Sequence, residues 1–532
     1  MKRTVTAAAL LLAFLANTPD AAEPRIGKFV RYDAGDFTIV TSRGASQARQ
    51  FVGDLRKFRI TLEKVLAKSA TNNQFPTTIV VVSARDWTNY LQPRQGVAGW
   101  FQSVPFANYI TINGDGQPEE AAHIIFHEYT HYFLASQFSG EHPPWFSEGL
   151  AEFMGYTSFS RIKGMAVVQI PMFHVDGIRH GNWIPFERLI KVDHDSPEYQ
   201  SHKLADSFYA QSWLTMHYGL LENREFRTQI FTYLNQLNSL HPHEEAVRNS
   251  FGTDLTAVDK LLRAYSRSSK IGGGGVNIGE IPPVTLPVGE PVAENDAYAI
   301  LINLMLETRL APARIRPLVD ALVHREPKSA RVAVLSARLA AAEQNQAGFA
   351  EAVAEAESAL TSGDWLARRD LANVLLRNAT ESGSSRTSED EKRDLERAHK
   401  WFGEAIAHNN QDVLALWGFG TAATRLEKNL EMAEEALVAA YELAPASADI
   451  AVSLANLNGR RNKPDLMVPY LQDAIRYSTN LGMRRWAAET LLELRKFLAE
   501  RDAVEAQNKA QREAYEKLLA DYEKQYGKKK KK

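Results

Sequence analysis

A glycine- and proline-rich segment divides this chain of 532 residues into two parts of different character. Residues 269–295 contain four consecutive glycines followed by several prolines, a composition that predicts no regular element. Before the segment, strand-like and helix-like patterns alternate, whereas after it Ala and Leu dominate and strand signals disappear. The sequence therefore predicts an α+β domain over residues 26–268, a linker over residues 269–295 and an all-helical domain over residues 296–526.

The patterns of the first half are specific enough to place elements. Residues 37–41 and 77–83 are β-branched runs typical of strands, and residues 46–67 have the apolar spacing of a helix. Residues 107–112 alternate between polar and apolar positions and predict another strand.

Composition excludes several kinds of chemistry. The chain has no cysteine, so disulfide scaffolds, thiolate metal sites and cysteine nucleophiles are ruled out, and any metal must be held by His and carboxylates. The 62 Lys and Arg residues nearly balance the 64 Asp and Glu residues, which argues against general nucleic-acid binding.

The first residues have the form of an export signal. A positive start at residues 1–3 precedes an apolar run at residues 5–16 and small residues at 17–22. The run is shorter than the roughly 20 residues that a membrane anchor needs. We therefore expect a signal peptide over residues 1–22 and a secreted or periplasmic protein that is not a lipoprotein and has no transmembrane segment after signal removal.

One predicted helix carries a metal-binding pattern. Residues 119–138 are apolar on one face and contain His127, Glu128 and His131 in the spacing H-E-x-x-H. Side chains four apart lie above one another on a helix, so both imidazoles can reach one ion while Glu128 projects toward a water. Two imidazoles and a carboxylate suit a single Zn²⁺ ion. With 14 His in the chain, only about 0.04 matches to this pattern are expected by chance.

The residues that follow narrow the class of zinc site. Leu134 and Gln137 occupy the places of the glycine and third histidine of the extended metzincin motif, so that arrangement is excluded. The run P-P-W-F-S-E-G-L-A-E-F at residues 143–153 instead predicts a second helix with Glu148 and Glu152 on one face.

Together the two motifs resemble the gluzincin zinc metallopeptidases, most closely exported proteins of the peptidase-MA-like type. The resemblance implies an α+β zincin-like, thermolysin-like catalytic domain that hydrolyses peptide bonds. It also implies that Glu148 completes the metal site and that Glu152 supports a ligand histidine. Glu128 would then exchange a proton with the attacking water and the leaving nitrogen.

The same resemblance suggests a tyrosine that stabilises the tetrahedral oxygen. Gluzincin aminopeptidases place this residue at the start of a helix in a Y-x-K-G motif, which points to Tyr209 although Gln211 and Ser212 replace Lys and Gly. A tyrosine at the edge of the core is the alternative. The G-x-M-E-N motif that captures a free amine is absent, so an endopeptidase is favoured over an aminopeptidase.

Two further features concern the cleft. Zincins carry an edge strand before the metal helix, and residues 107–112 are predicted to be that strand, to which an extended peptide substrate could add. His123 lies one turn before His127, but a helix histidine outside the motif is expected to be structural.

The second half contains a repeat. Ala398-x6-Ala405 recurs as Ala433-x6-Ala440 and as Met467-x6-Ala474, each with a large apolar residue in between. The pattern resembles tetratricopeptide repeats, although Gly418 and Gly420 depart from it and residues 296–379 fit loosely. The alternative is a set of ordinary helical hairpins. Either arrangement predicts a helical solenoid that can bind a protein partner or substrate.

A run of lysines ends the chain at residues 528–532. It is interpreted as a solvated basic tail, residues 527–532, with attraction to an anionic surface as the alternative.

The leading functional hypothesis is an exported zinc metallopeptidase with helical repeats for substrate or partner binding. A catalytically silent scaffold with a metallopeptidase fold, and a zinc hydrolase acting on another bond, remain alternatives.

Overall fold

The computed structural model describes residues 23–35, 38–67, 76–93, 97–104, 106–115, 118–138, 142–159, 163–239, 241–269, 271–281, 287–381, 387–478 and 480–526. The predicted signal peptide and the basic tail lie outside the described residues, as does Phe37 of the first predicted strand. No described helix combines the length and the apolar character that crossing a bilayer requires.

The first half is built around two sheets. Their strands are β1 (Val30–Asp33), β2 (Thr38–Thr41), β3 (Thr77–Val82), β4 (Gly99–Val104), β5 (Ala107–Asn113), β6 (Thr157–Phe159), β7 (Met165–Val168), β8 (Gly274–Asn277) and β9 (Glu290–Pro291). The larger sheet has the order β4-β5-β3-β2-β1-β9 and the smaller one the order β6-β7-β8. In the larger sheet β3 runs parallel to β2 and β5, and the remaining pairs are antiparallel.

The expected edge strand is displaced by one position. Residues 107–112 do form a strand, β5, but β4 pairs with it on the outside, so β4 is the edge and β5 is the second strand. Only two residues separate the two runs in the sequence, and alternation alone does not say which arm of a hairpin lies outermost.

Helices cover one face of the larger sheet. Those of the first half are α1 (Ala45–Leu66), α2 (Ala84–Asp86), α3 (Pro118–Gln137), α4 (Pro144–Gly155), α5 (Met172–His180), α6 (Phe186–Leu189), α7 (Pro197–Gln200), α8 (His202–His217), α9 (Arg224–Asn238), α10 (His243–Phe251) and α11 (Leu255–Ser266). A core formed by α1, α3, α4 and α8 packs on Ile79, Val81, Ile110 and Ile112 of the sheet. The helices predicted from residues 46–67 and 119–138 are therefore present as α1 and α3.

The prediction of no regular element over residues 269–295 is wrong at two places within the segment, and at its end residues 294–295 already belong to the first helix of the second half. Residues 274–277 form β8, which pairs with β7, and residues 290–291 form β9, which pairs with β1. Strands pair through their main chains, so a glycine-rich segment can extend a sheet without contributing side chains to a core. The two pairings fasten this segment to both sheets of the first half.

The second half is a stack of helices. They are α12 (Glu294–Glu307), α13 (Pro312–Arg325), α14 (Ala330–Ala342), α15 (Gln346–Ala359), α16 (Trp365–Glu381), α17 (Ser388–His408), α18 (Val413–Leu426), α19 (Leu430–Leu443), α20 (Ala448–Arg460), α21 (Pro464–Tyr477) and α22 (Leu481–Tyr526). From α12 to α15 and again from α16 to α22, each helix packs on the next one along the chain, and α16 packs on α14. The small residues of the repeat, such as Ala398 and Ala433, are fully buried in α17 and α19. The predicted helical solenoid is present.

The glycines that depart from the repeat pattern have a steric role. A Cβ on Gly418 of α18 would lie 2.2 Å from the ring of Phe402 in α17, and one on Gly420 would lie 2.4 Å from Leu437 in α19. Contacts this short are not tolerated, so both positions need glycine for α18 to pack against its neighbours.

The second face of the larger sheet is covered by the π-helical segment Trp87–Leu91 and by the start of the solenoid. Val40, Val80 and Val82 form one apolar cluster with Leu301 of α12 and Leu318 of α13. Polar contacts reinforce this junction, because Arg314 donates a hydrogen bond to the carbonyl of Gln92 at 2.7 Å. The sheet is therefore enclosed between helices of both halves.

Candidate metal centre

The helix α3 presents its polar residues on one side of an apolar body. Ile125, Tyr129 and Phe133 are at most 2% exposed and fix the helix against the core. His127 and His131, four residues apart, consequently project together from the opposite side, toward α4. The spacing predicted from the sequence is thus realised on one helix.

The second helix, α4, is held very close to α8. A Cβ on Gly149 would lie 2.5 Å from the carbonyl oxygen of Ser212 in α8, so this position admits only glycine. The side chains of Glu148 and Glu152 are 7% and 9% exposed, and both point toward the imidazoles of α3. Carboxylates buried to this degree require partners of opposite charge or hydrogen-bond donors.

Three ligand atoms converge at almost equal distances. Nε2 of His127 lies 3.2 Å from Nε2 of His131, and Oε2 of Glu148 lies 3.3 and 3.4 Å from these two nitrogens. A tetrahedral zinc site with bonds of about 2.0–2.1 Å has ligand atoms about 3.3–3.4 Å apart. The three atoms therefore form a face that fits a tetrahedral zinc ion and leaves the fourth position open.

Glu152 organises the histidines from behind. Its Oε1 lies 3.3 Å from Nδ1 of His127, a geometry in which Nδ1–H donates to the carboxylate and the lone pair of Nε2 faces the metal position. Nε2 of His174, in α5, lies 2.9 Å from Oε2 of Glu152. His123 is farther away, at 3.5 Å from the same oxygen, which is too long for a well-formed hydrogen bond.

The described residues offer a second group, composed of His123, His127 and Glu152, whose ligand atoms also lie near one another. Binding a metal there would use Nδ1 of His127 and would remove the contact with Glu152 that orients Nε2. His123 instead stacks on Tyr156, with ring centroids 4.0 Å apart, as expected for a structural histidine.

The charges of the site attract a cation. Burial opposes protonation of His127, but the adjacent carboxylates of Glu148 and Glu152 outweigh burial and raise the pKa of the imidazole well above its ordinary value. Burial alone would raise the pKa of Glu148 and of Glu152, yet the surrounding histidines hold both values below the ordinary range. Both carboxylates are therefore ionised at neutral pH, which favours a positive ion between the imidazoles.

Glu128 is held differently. Burial raises the pKa of its carboxyl group, and the main-chain N–H of Phe101 in β4 donates a hydrogen bond to it. The carboxyl group therefore lies between the metal-site helix and the edge strand. A carboxylate with a raised pKa is suited to accept and return a proton.

A tyrosine that the sequence did not identify completes the site. The hydroxyl of Tyr199, in α7, donates a hydrogen bond to Oε1 of Glu148 at 3.0 Å. Because Oε2 of the same carboxylate faces both histidines, Tyr199 fixes which oxygen is directed at the metal position. No local pattern could have revealed this residue or His174, since each reaches its glutamate from a distant segment.

Tyr209 lies within α8 and not at its start, because α8 begins seven residues earlier, at His202. The residue lines a cleft of about 1170 Å³ that also contains His127, Glu128 and Glu148. Its ring centroid is 6.3 Å from that of Tyr199. Gln211, which stands in the place of the motif lysine, is buried. Its Oε1 accepts a hydrogen bond from the N–H of Ile184, and its Nε2 donates one to the carbonyl of the same residue.

No family model matches this chain, and no curated protein matches it. Solved structures similar to parts of it include tetratricopeptide repeat proteins. YrrB, which has an unusual peptide-binding site, is 16% identical and aligns over 36% of this chain and 90% of its own, with a TM-score of 0.28. A protein of Thermus thermophilus is 16% identical over 37% and 99%, with a TM-score of 0.30. Yeast Tom70 is 12% identical over 62% and 69%, with a TM-score of 0.30. These likenesses assign no function to the chain.

Proposed function

We propose that this protein is an exported zinc metallopeptidase with a zincin-like catalytic domain. The observation that carries the proposal is the triangle of ligand atoms from His127, His131 and Glu148, whose edges of 3.2–3.4 Å fit a tetrahedral zinc ion. A zinc ion in such a site supplies a Lewis acid that polarises a carbonyl group and acidifies water.

The side chains of the cleft divide the remaining work. Glu128 takes a proton from the attacking water and passes it to the leaving nitrogen. Its carboxyl group is buried and has a raised pKa, which favours both transfers. Tyr209 donates a hydrogen bond to the oxygen that becomes negative as water adds to the carbonyl. Glu152 and Tyr199 keep His127 and Glu148 in the orientation that binding of the ion needs.

An extended peptide is the substrate that suits the edge of the sheet. The carbonyl of Ala98 accepts a hydrogen bond from the N–H of Asn113 at 2.9 Å. In an antiparallel pair every second residue bonds to the partner strand, so Trp100 and Gln102 of β4 also direct their main chains at β5. The main chains of Gly99, Phe101 and Ser103 consequently face away from β5. Apart from the N–H of Phe101, which bonds to Glu128, the main-chain groups of this edge can pair with a peptide and place one of its bonds beside Glu128. An endopeptidase remains the favoured class.

The proposal is tested with the mature chain and the variant Glu128→Gln. Both proteins should contain one zinc ion per chain, because Glu128 is not a ligand, whereas the variant should lose peptide hydrolysis by a factor of roughly 10²–10⁴. Equal activity in the two proteins would contradict the role of Glu128. A zinc-containing chain that cleaves no member of a broad peptide library would favour the scaffold alternative.

A further inference from the structure

Phe106, the residue directly before β5, lies inside the helical repeats. It is 8% exposed and belongs to the apolar cluster formed by helices α14 to α20. Its ring centroid lies 5.3 Å from that of Trp417 in α18. The first half of the chain therefore inserts one side chain into the core of the second.

The backbone of Phe106 indicates that this insertion is enforced. Its φ of 65° lies in the left-handed region, which a bulky residue rarely adopts. Such a conformation persists where surrounding contacts compensate for its cost, and here these contacts come from the repeats.

The partner ring is itself fixed. Nε1 of Trp417 donates hydrogen bonds to Oγ of Ser453 at 2.9 Å and to the carbonyl of Asp449 at 3.3 Å, both in α20. Nearer the start of the solenoid, the Tyr109 hydroxyl of β5 lies within electrostatic reach of Glu307, Arg338 and Asp370, which belong to α12, α14 and α16. The helices α12, α14, α16 and α18 thus form the side of the solenoid that faces the hairpin.

The hairpin is also the part of the sheet that meets the metal centre. The main chain of Phe101 bonds to Glu128, and its ring packs edge-on against Tyr132 of α3, with centroids 6.0 Å apart. A Cβ on Gly99 would lie 2.5 Å from Ile124 and 3.4 Å from Glu128, so β4 and α3 are in close contact. Movement of Phe106 would therefore displace the strand edge beside Glu128.

We propose that Phe106 and Trp417 are positioning residues, which seat the β4–β5 hairpin in the solenoid and so hold the free edge of β4 in line with the metal centre for pairing with substrate. The surface that tetratricopeptide-like repeats would offer to a foreign peptide is then occupied, over α12 to α18, by a segment of the same chain. This inference rests on the proposed peptidase function. Its claim that the repeats hold β4 in place can be measured separately from peptide cleavage.

The test uses full-length Phe106→Ala and Trp417→Ala, with Trp401→Ala as the matched control. Trp401 belongs to the same apolar cluster, but its indole N–H donates a hydrogen bond to Glu357 of α15. Amide hydrogen exchange over β4 should accelerate about tenfold or more in Phe106→Ala and Trp417→Ala and remain as in the wild type in the control. Zinc content should not change, and KM for a long peptide should rise by a larger factor than kcat falls.

Milder variants cover the case in which the alanine variants do not fold. Phe106→Leu keeps an apolar side chain, and Trp417→Phe keeps a ring while losing the hydrogen bond to Ser453, so each should show a smaller acceleration than its alanine counterpart. Unchanged exchange over β4 in all folded variants would overturn the proposal. If the wild type cleaves no peptide, the proposed function fails, while the exchange measurement still decides whether the repeats hold the strand.

Discussion

The hydroxyl of Tyr199 lies 3.0 Å from Oε1 of Glu148, and Oε2 of the same carboxylate lies 3.3 Å from Nε2 of His127. One oxygen of the glutamate is thus held by a phenol while the other faces the candidate metal position. Removing the phenol should free the carboxylate to rotate. We expect Tyr199→Phe to weaken zinc binding about tenfold to a hundredfold, as measured by competition with a chromogenic chelator.

Tyr209→Phe is the control for this variant and also a test of its own. Tyr209 lines the same cleft, and its proposed role is in the transition state, so zinc affinity should be retained while kcat falls by about 10²–10³. Equal zinc affinities for Tyr199→Phe and the wild type would contradict the role of Tyr199. An unchanged kcat in Tyr209→Phe would show that Tyr209 is a structural residue at the edge of the core.

A second prediction concerns the carboxylate behind His127. Glu152→Gln removes the charge that orients Nδ1–H, and it should lower zinc affinity about tenfold to a hundredfold. His174→Gln removes only one donor to Glu152 and should have a smaller effect in the same direction. Isothermal titration of the metal-free proteins measures both changes. Affinities equal to that of the wild type would show that Glu152 does not act through His127.

Stability should depend on pH through His217, which is 1% exposed. Its Nε2–H donates to the carbonyl of Gly272 at 3.1 Å, and its Nδ1 accepts a hydrogen bond from Tyr265 at 2.8 Å. Burial lowers the pKa of this imidazole to about 4, from 6.5 in an exposed histidine. As the pH falls below about 6.5, this histidine becomes protonated in the unfolded chain, whereas in the folded chain it stays neutral until about pH 4. The free energy of unfolding therefore decreases between these two pH values and levels off below about pH 4.

The contribution of His217 to that decrease is about 3 kcal/mol when the shift is complete. Denaturant unfolding at pH 7, 5.5 and 4.5 should show a shallower loss of stability in His217→Gln, although the variant is less stable than the wild type at pH 7. His241→Gln, at an exposed site, serves as the control. Parallel pH profiles for His217→Gln and the wild type would refute the assignment.

The shared core leads to a prediction about truncation. A chain that ends at residue 293 exposes Val40, Val80 and Val82, together with Trp87, on the second face of the sheet. Exposure of each such side chain costs about 1.5–3 kcal/mol, so the sum is comparable with the usual stability of a domain, about 5–15 kcal/mol. We expect this fragment to aggregate or to lack a cooperative thermal transition.

A chain that ends at residue 499 is the matched control. It removes the outer part of α22, where residues 502–524 are exposed, and should melt as the full chain does. A soluble fragment ending at residue 293, with a cooperative transition at the temperature of the full chain, would show that the solenoid is not needed to cover the sheet.

Local patterns predicted the parts of the site that are local. His127 and His131 share a helix face because four residues separate them, and Glu148 and Glu152 share another for the same reason. The contact of Tyr199 with Glu148 joins residues 51 positions apart and depends on where the short helix α7 lies, which no spacing encodes.

The second layer over the sheet did leave a signal in the sequence. The run T-T-I-V-V-V of β3 is apolar or β-branched at every position, as in a strand with both faces buried, and so it implied a covering on each side. That the covering comes from α12 to α14 is decided by tertiary packing over more than two hundred residues.

The most direct test of the central claim is anomalous X-ray diffraction at the zinc absorption edge from crystals of the chain. The proposed metal centre predicts one peak about 2.0–2.2 Å from Nε2 of His127, Nε2 of His131 and Oε2 of Glu148. The absence of a peak there after zinc soaking, or a peak only between His123 and Glu152, would contradict it.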